Sequence, residues 1–150
     1  AARTTATEME WKAGLATVKI TPEKPVPMAG YASRTKPFEK VEQDIYAKAL
    51  ALEDRQGHRA VLFGYACHNT TLTQTNYNVC GDYAGFAQAY VQERLPGAQA
   101  MFMIGCGGNA NPYPRGAMAD ARENGATLRG RNTPQPPCEV GASRSLMNWP

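Results

Sequence analysis

The sequence lacks the features by which several classes of protein are recognised. Its apolar runs fall far short of the roughly 18 residues that a membrane-spanning helix needs, so no transmembrane segment is predicted. No basic cluster is interleaved with aromatic residues, which argues against nucleic-acid binding. No CxxC pair is present, which argues against a zinc ribbon or a thiol redox motif.

Serine and phosphate-binding motifs are also missing. The three serines are Ser33, Ser143 and Ser145, and none lies in the GxSxG motif of serine hydrolases. The glycine-rich segment 105–109 has neither the GxGxxG spacing of a dinucleotide site nor the Gly-Lys-Ser/Thr of a P-loop. A cysteine nucleophile near His68 stays open, with Cys67, Cys80 and Cys106 as the candidates. Cys67 is the worst of them, because adjacent residues on a strand point to opposite faces.

Charge is scarce in the middle of the chain. Although the 150 residues have a net charge of +3, the only charged residues between Ala60 and Pro114 are Asp82, Glu93 and Arg94. A chain of this length forms one domain with a sizeable core. The middle third is therefore expected to supply that core and any pocket.

Hydrophobic periodicity predicts a single α/β domain over residues 13–130, with a mixed β-sheet flanked by helices in the order β-β-β-α-β-α. A flexible lead at 1–12 and a proline-rich irregular tail at 131–150 are predicted on either side. Gly57 is predicted to form a tight turn that pairs the second and third strands antiparallel. The predicted strands are 14–20, 45–54, 59–66 and 100–104, and the predicted helices are 83–95 and 115–129.

His68 is the first candidate for chemistry, because an imidazole that follows a buried strand stands where α/β proteins place their sites. If a right-handed crossover makes the third and fourth strands parallel, the loops after Tyr65 and Ile104 lie at one edge of the sheet. His68 is then a metal ligand or general base that Asp82 orients, and nearby groups donate to a substrate or an oxyanion. These donors are Asn69, Gly107, Gly108 and Asn109.

Each of these residues also has a plainer structural interpretation. His68 can be a packed histidine at a strand end, Asp82 the N-cap of the next helix, and the glycine-rich segment an ordinary turn.

A small lipid-like or aromatic acyl substrate is expected to lie against four aromatic residues. These are Tyr31, Tyr65, Tyr77 and Phe86.

Several segments are similar to one known family. Residues 14–22 (GLATVKITP), 28–32 (MAGYA) and 46–50 (YAKAL) resemble the opening of the neutral/alkaline non-lysosomal ceramidases and their bacterial relatives. Residues 63–115, which include HNTT, GDYAG and NPYPR, resemble a later part of the same catalytic domain. Together these segments cover about two thirds of the chain.

The resemblance implies an α/β catalytic domain, a zinc cofactor and cleavage of the N-acyl bond of ceramide, with His68 matching the second of two zinc-binding histidines. The family's His-Thr-His segment, which supplies the first histidine, is missing between the two matched regions. No counterparts of its serine nucleophile or of its glutamate and tyrosine ligands can be placed. One histidine cannot hold a catalytic zinc, which needs about three protein ligands.

Two hypotheses follow from the sequence. The first is a ceramidase-like hydrolase of an amide or ester bond, and the second is a non-catalytic remnant of such a domain that serves as a binding or structural module.

Residues 1–5 fit the new end left by removal of a signal segment, so a secreted or periplasmic protein is expected. Disulfides and reduced, buried thiols both remain open for the four cysteines. These are Cys67, Cys80, Cys106 and Cys138.

Overall fold

A computed structural model describes residues 11–128 of the chain. The predicted order of elements is confirmed. The elements are β1 (Lys12–Lys19), β2 (Tyr46–Glu53), β3 (Arg59–Tyr65), α1 (Asp82–Arg94), β4 (Ala98–Ile104) and α2 (Met118–Leu128). Of the predicted lead, only positions 11 and 12 are described, and β1 begins at the second of them; the predicted tail at 131–150 lies outside the described residues.

The four strands form one mixed sheet in the order β1-β2-β3-β4. β1 and β2 pair antiparallel, as do β2 and β3, whereas β3 and β4 pair parallel, with Tyr65 opposite Ile104. β1, β3 and β4 therefore all end at the same side of the sheet, which we call the carboxyl edge. The segments 20–45, 66–81 and 105–117 all leave the sheet there, so the crossover predicted from the sequence is confirmed.

One face of the sheet is covered by α1. Val61, Phe63 and Ala100 project from that face and are buried against Tyr83, Ala87 and Val91 of the helix, in a core of mostly small and aromatic side chains. The ring of Phe102 meets those of Phe63 and Tyr83 edge-on, with centroids 5.5 and 5.7 Å apart. Burying a large apolar side chain contributes about 2 kcal/mol, so this cluster holds the helix on the sheet.

The opposite face of the sheet is left bare by the described residues. The strand register places Leu15, Leu50, Leu62 and Met101 side by side in one row across all four strands. Leu15 is 84% exposed and Met101 is 42% exposed. We call this surface the open sheet face.

The turn between β2 and β3 lies at the end of the sheet opposite the carboxyl edge. Asp54 accepts hydrogen bonds from the backbone N–H groups of Gln56 and His58, and Gly57 takes the positive φ of 84° that the turn requires. The His58 ring lies 2.8 Å from Asp54, and this hydrogen bond lowers the pKa of the carboxyl. His58 is thus an exposed turn residue far from His68 along the strand.

Neither α1 nor α2 has the length and apolar character of a helix that could cross a membrane, within the range 11–128.

Candidate functional site

His68 lies where two loops of the carboxyl edge meet. The loop after β3 and the loop after β4 are joined by a hydrogen bond from the His68 backbone N–H to the Ala110 carbonyl, at 2.9 Å. The imidazole itself is exposed, and it makes no hydrogen bond or ion pair with any residue in 11–128. The loop therefore fixes the backbone of His68 and leaves its ring available to a ligand.

Asp82 does not hydrogen-bond to His68, in contrast to the predicted orienting role. Its carboxylate is 95% buried and instead accepts from the backbone N–H groups of Thr71, Leu72 and Tyr83, at 3.0, 2.7 and 2.6 Å. The N-cap of α1 is Gly81, and Asp82 is the first helical residue, with a positive φ of 54°. The carboxylate is thus a structural clamp on residues 71–72 of the His68 loop.

Asn69 performs the capping that the sequence assigned to Asp82. Its side-chain carbonyl accepts from the N–H of Ala84 at 3.2 Å, and its amide donates to the carbonyl of Gly81 at 3.1 Å. The first turn of a helix has N–H groups without intrahelical partners, and a side-chain oxygen that satisfies one of them is stabilising. Both polar side-chain atoms of Asn69 therefore make a hydrogen bond at the start of α1.

Asn69→Ala is expected to lower the free energy of unfolding by about 1 kcal/mol, the usual cost of removing a side-chain cap. Asn69→Asp keeps an acceptor for Ala84 and adds a negative charge at the helix N-terminus, but it replaces the amide donor to the Gly81 carbonyl with an oxygen, so it should recover only part of this loss. Urea unfolding followed by circular dichroism measures both values. An alanine variant as stable as the wild type would contradict the capping role.

The glycine-rich loop serves close packing. A Cβ on Gly107 would collide with the backbone of Ala66 and Cys67, so only glycine lets the two carboxyl-edge loops touch here. The Gly107 N–H donates to the Gly105 carbonyl at 2.8 Å, which removes it as an oxyanion donor in this conformation.

Gly108 and Asn109 remain available as donors. Both are exposed, and their backbone N–H groups bond to no residue in the described range. The Asn109 carbonyl accepts from the N–H of Ala29 at 2.9 Å, which fixes this part of the loop against the segment after β1. Of the four predicted donors, Gly107 alone has its backbone N–H bonded within residues 11–128, and the N–H of Asn69 is without a partner there like those of Gly108 and Asn109.

Two buried tyrosines lie beneath the His68 loop, and sequence reasoning did not assign them there. The Tyr83 hydroxyl donates to the Cys67 carbonyl at 3.0 Å, and its ring lies 6.0 Å from that of Tyr65. Burial raises the pKa of both hydroxyls above the usual value for tyrosine. The residue immediately before His68 is thereby tied to α1.

Thr71 and Asn124 form a second unforeseen link. Thr71 is completely buried, and its carbonyl accepts from the N–H of Gly116 at 2.9 Å. The Asn124 amide, from α2, donates to the Thr71 hydroxyl at 3.3 Å and to the Pro114 carbonyl at 3.0 Å. Helix α2 therefore holds together the loops that follow β3 and β4, a tertiary contact with no local sequence signal.

The four aromatic residues predicted to line a substrate site divide into two pairs. Tyr31 and Tyr77 are 69% and 94% exposed on carboxyl-edge segments. Tyr65 packs against Tyr83 and Phe102 in the core, and Phe86 stacks on Tyr90 with the Arg122 guanidinium 5.0 Å from its ring centroid. Of these four, Tyr31 and Tyr77 are the two that are exposed on the loops.

The cysteines in the described range are not joined by disulfides. Cys67 is buried, Cys80 is half-buried and Cys106 is exposed, and no bond links any two of them. Cys138 lies outside the described residues.

A catalytic zinc ion needs about three protein ligands that lie close together. Within residues 11–128 there is no group of three His, Cys, Asp or Glu side chains that could hold a metal. Both carboxylate oxygens of Asp82, the first acidic residue after His68 in the sequence, accept from backbone N–H groups. The described residues alone therefore do not fit a zinc site with three protein ligands.

The chain is similar to known proteins in its fold and not in its overall sequence. No family model matches the chain, and no curated protein matches its sequence. Among solved structures, the neutral ceramidase from Pseudomonas aeruginosa is similar with a TM-score of 0.54 and 14% identity, over 77% of this chain and 21% of that one. A ceramidase complexed with C2 gives a TM-score of 0.48 and 18% identity, over 79% of this chain and 20% of that one.

The chain thus spans about a fifth of the length of these structures. At this level of identity the similarity concerns the fold alone. The described residues have a ceramidase-like α/β fold, in agreement with the family that the sequence resembles.

Proposed function

We propose that this chain contributes to a ceramidase-like hydrolase that cleaves an amide or ester bond in a lipid-like acyl substrate, with His68 as its central group. The observation that supports this most is the placement of His68. Its backbone is held between two loops at the carboxyl edge of parallel strands, while its ring faces solvent without a protein partner in 11–128. Open α/β sheets bind ligands at this edge.

The chemistry needs a group that accepts a proton and donors that stabilise the developing negative charge. An imidazole can activate a water molecule near neutral pH, and exposed backbone N–H groups can receive an oxyanion. Here the ring of His68 and the N–H groups of Gly108 and Asn109 are available on adjacent loops. Asp82 and Asn69 act indirectly, by fixing the loop that carries His68.

Zinc ligation is the other role proposed for His68. Because residues 11–128 do not supply three ligands, the remaining ligands would have to come from residues outside that range. No step of the proposed reaction depends on the metal.

His68→Ala is expected to reduce the hydrolysis of a nitrophenyl acyl ester by roughly 100-fold or more, the contribution of a positioned general base. His58→Ala is the matched control, since it removes the other histidine of the chain from the opposite end of the sheet. Circular dichroism of each variant shows whether it is folded. Equal turnover by the wild type and a folded His68→Ala variant would refute the role of His68.

A chelator separates the two roles of His68. Loss of turnover after dialysis against EDTA, restored by zinc, assigns the imidazole to a metal. Turnover that withstands the chelator in protein without measurable metal assigns it to general-base catalysis.

A second function, a non-catalytic binding or structural module, is favoured by the incomplete set of ligands in 11–128. It predicts no hydrolysis of amides or esters across a series of acyl chain lengths, and no metal by elemental analysis. Binding of acyl chains by the wild-type chain without any hydrolysis would support this function.

A further inference from the structure

The segment that connects β1 to β2 contains a closed loop. Pro27 and Pro37 form an isolated antiparallel bridge, and the Phe38 N–H donates to the Val26 carbonyl at 3.2 Å. At its tip the Arg34 N–H donates to the Tyr31 carbonyl at 2.9 Å, which defines a four-residue turn. We call residues 27–37 the tip loop.

The tip loop is docked beside the candidate site. The Ala29 N–H donates to the Asn109 carbonyl at 2.9 Å, and a Cβ on Gly30 would collide with the Gly108 carbonyl. Gly30 has a φ of 100°, which glycine adopts without strain. The same short stretch, 108–110, therefore contacts the tip loop on one side and the backbone of His68 on the other.

Arg34 is held in position on this loop. Its guanidinium donates to the Ala29 carbonyl at 3.1 Å and lies 4.8 Å from the centroid of the Tyr31 ring. Both side chains are exposed, and Arg34 has no carboxylate partner among the described residues. A guanidinium has five N–H donors, so most of them remain available to a ligand.

The surrounding electrostatics favour an anion. The tip loop and the segments 66–81 and 105–117 contain three cationic residues and no carboxylate. The cationic residues are Arg34, Lys36 and Arg115. Asp82, which follows directly, is buried, and its oxygens are occupied by backbone N–H groups. The tip loop and the two loops beside it therefore carry positive charge alone, whereas the carboxylates of segment 20–45 lie outside the tip loop, at positions 23, 39, 42 and 44.

We infer that Arg34, stacked on Tyr31, binds a carboxylate on the substrate, which makes the preferred substrate an N-acyl amino acid rather than a neutral acyl amide. This inference rests on the proposed function, because it assigns the substrate class of the same site. The acyl-amide bond lies at His68, and the carboxylate of the amino-acid part reaches the planar fork of Arg34, which suits carboxylate geometry.

The test compares N-dodecanoylglycine with N-dodecanoylglycinamide, two probes that differ in charge and share the acyl chain. Affinities are measured by titration calorimetry below the micellar concentration of the probes. The protein is the full chain carrying His68→Ala, so that turnover does not interfere. We expect the anionic probe to bind about tenfold more tightly, as a charge-assisted hydrogen bond allows. Arg34→Gln should abolish this preference, and Arg34→Lys should retain part of it.

Lys24→Gln is the matched control, because it removes one positive charge from the same segment outside the Pro27–Pro37 bridge. It should leave the preference unchanged. The inference would be overturned by equal affinities of the His68→Ala protein for the two probes. It would also be overturned if that protein kept the same preference after Arg34→Gln was added. Since binding is measured without turnover, an inactive protein that still prefers the anionic probe contradicts the proposed hydrolysis and supports the role of Arg34.

Discussion

Asp82→Ala is expected to lower the free energy of unfolding by about 4 kcal/mol, because it leaves three backbone N–H groups without their charged acceptor in a buried place. Part of this loss comes from the backbone, since Asp82 has a positive φ that alanine adopts only with strain. Such a loss is a large fraction of the 5–15 kcal/mol that stabilises a typical domain. Chemical denaturation at neutral pH measures it.

Asp82→Asn separates the two contributions. Asparagine tolerates the left-handed region and can keep one oxygen as the acceptor for Thr71 and Tyr83, but its NH2 group then faces the N–H of Leu72, so it removes the charge and one hydrogen bond of the clamp. The Asp82→Asn variant should lose roughly half as much free energy of unfolding as the alanine variant. If the asparagine variant instead lost hydrolysis while keeping wild-type stability, Asp82 would act in the chemistry, as first predicted, and not as a clamp.

Gly107→Ala is expected to cost about 3 kcal/mol and to abolish turnover together with it, because the new methyl group meets backbone atoms of Ala66 and Cys67 that have little room to move. The loops after β3 and β4 would separate, and His68 would lose the alignment that its hydrogen bond to Ala110 provides.

Gly108→Ala is the matched control for this prediction, since a Cβ there meets nothing within 4 Å. It keeps its backbone N–H and should be close to the wild type in both stability and activity. Thermal unfolding and ester hydrolysis compare the two variants. Equal effects of the two substitutions would contradict the assignment of Gly107 to close packing.

The strands and their order were predictable because the information is local. Alternating residues indicate β2, a continuous apolar run indicates β3, and Gly57 specifies the turn between them. The placement of the loops after Tyr65 and Ile104 at one edge followed from a crossover through α1 that makes β3 and β4 parallel. The position of His68 at the carboxyl edge could therefore be derived from the sequence.

The partners of the site residues could not be derived in this way. Asp82 binds N–H groups ten and eleven residues away, and Asn124 reaches Thr71 across 53 positions. Side chains with several possible acceptors choose among them only when the tertiary structure is formed. The same holds for Asn69, whose place at the start of α1 depends on how the loop returns to the helix.

The open sheet face determines how this polypeptide behaves in solution on its own. Within residues 11–128 it is an apolar strip across four strands, with Leu15 almost fully accessible, and such a strip is expected to bind hydrophobic dyes and to favour clustering as concentration or kosmotropic salt increases. Purification therefore calls for dilute samples, low ionic strength and a mild non-ionic detergent.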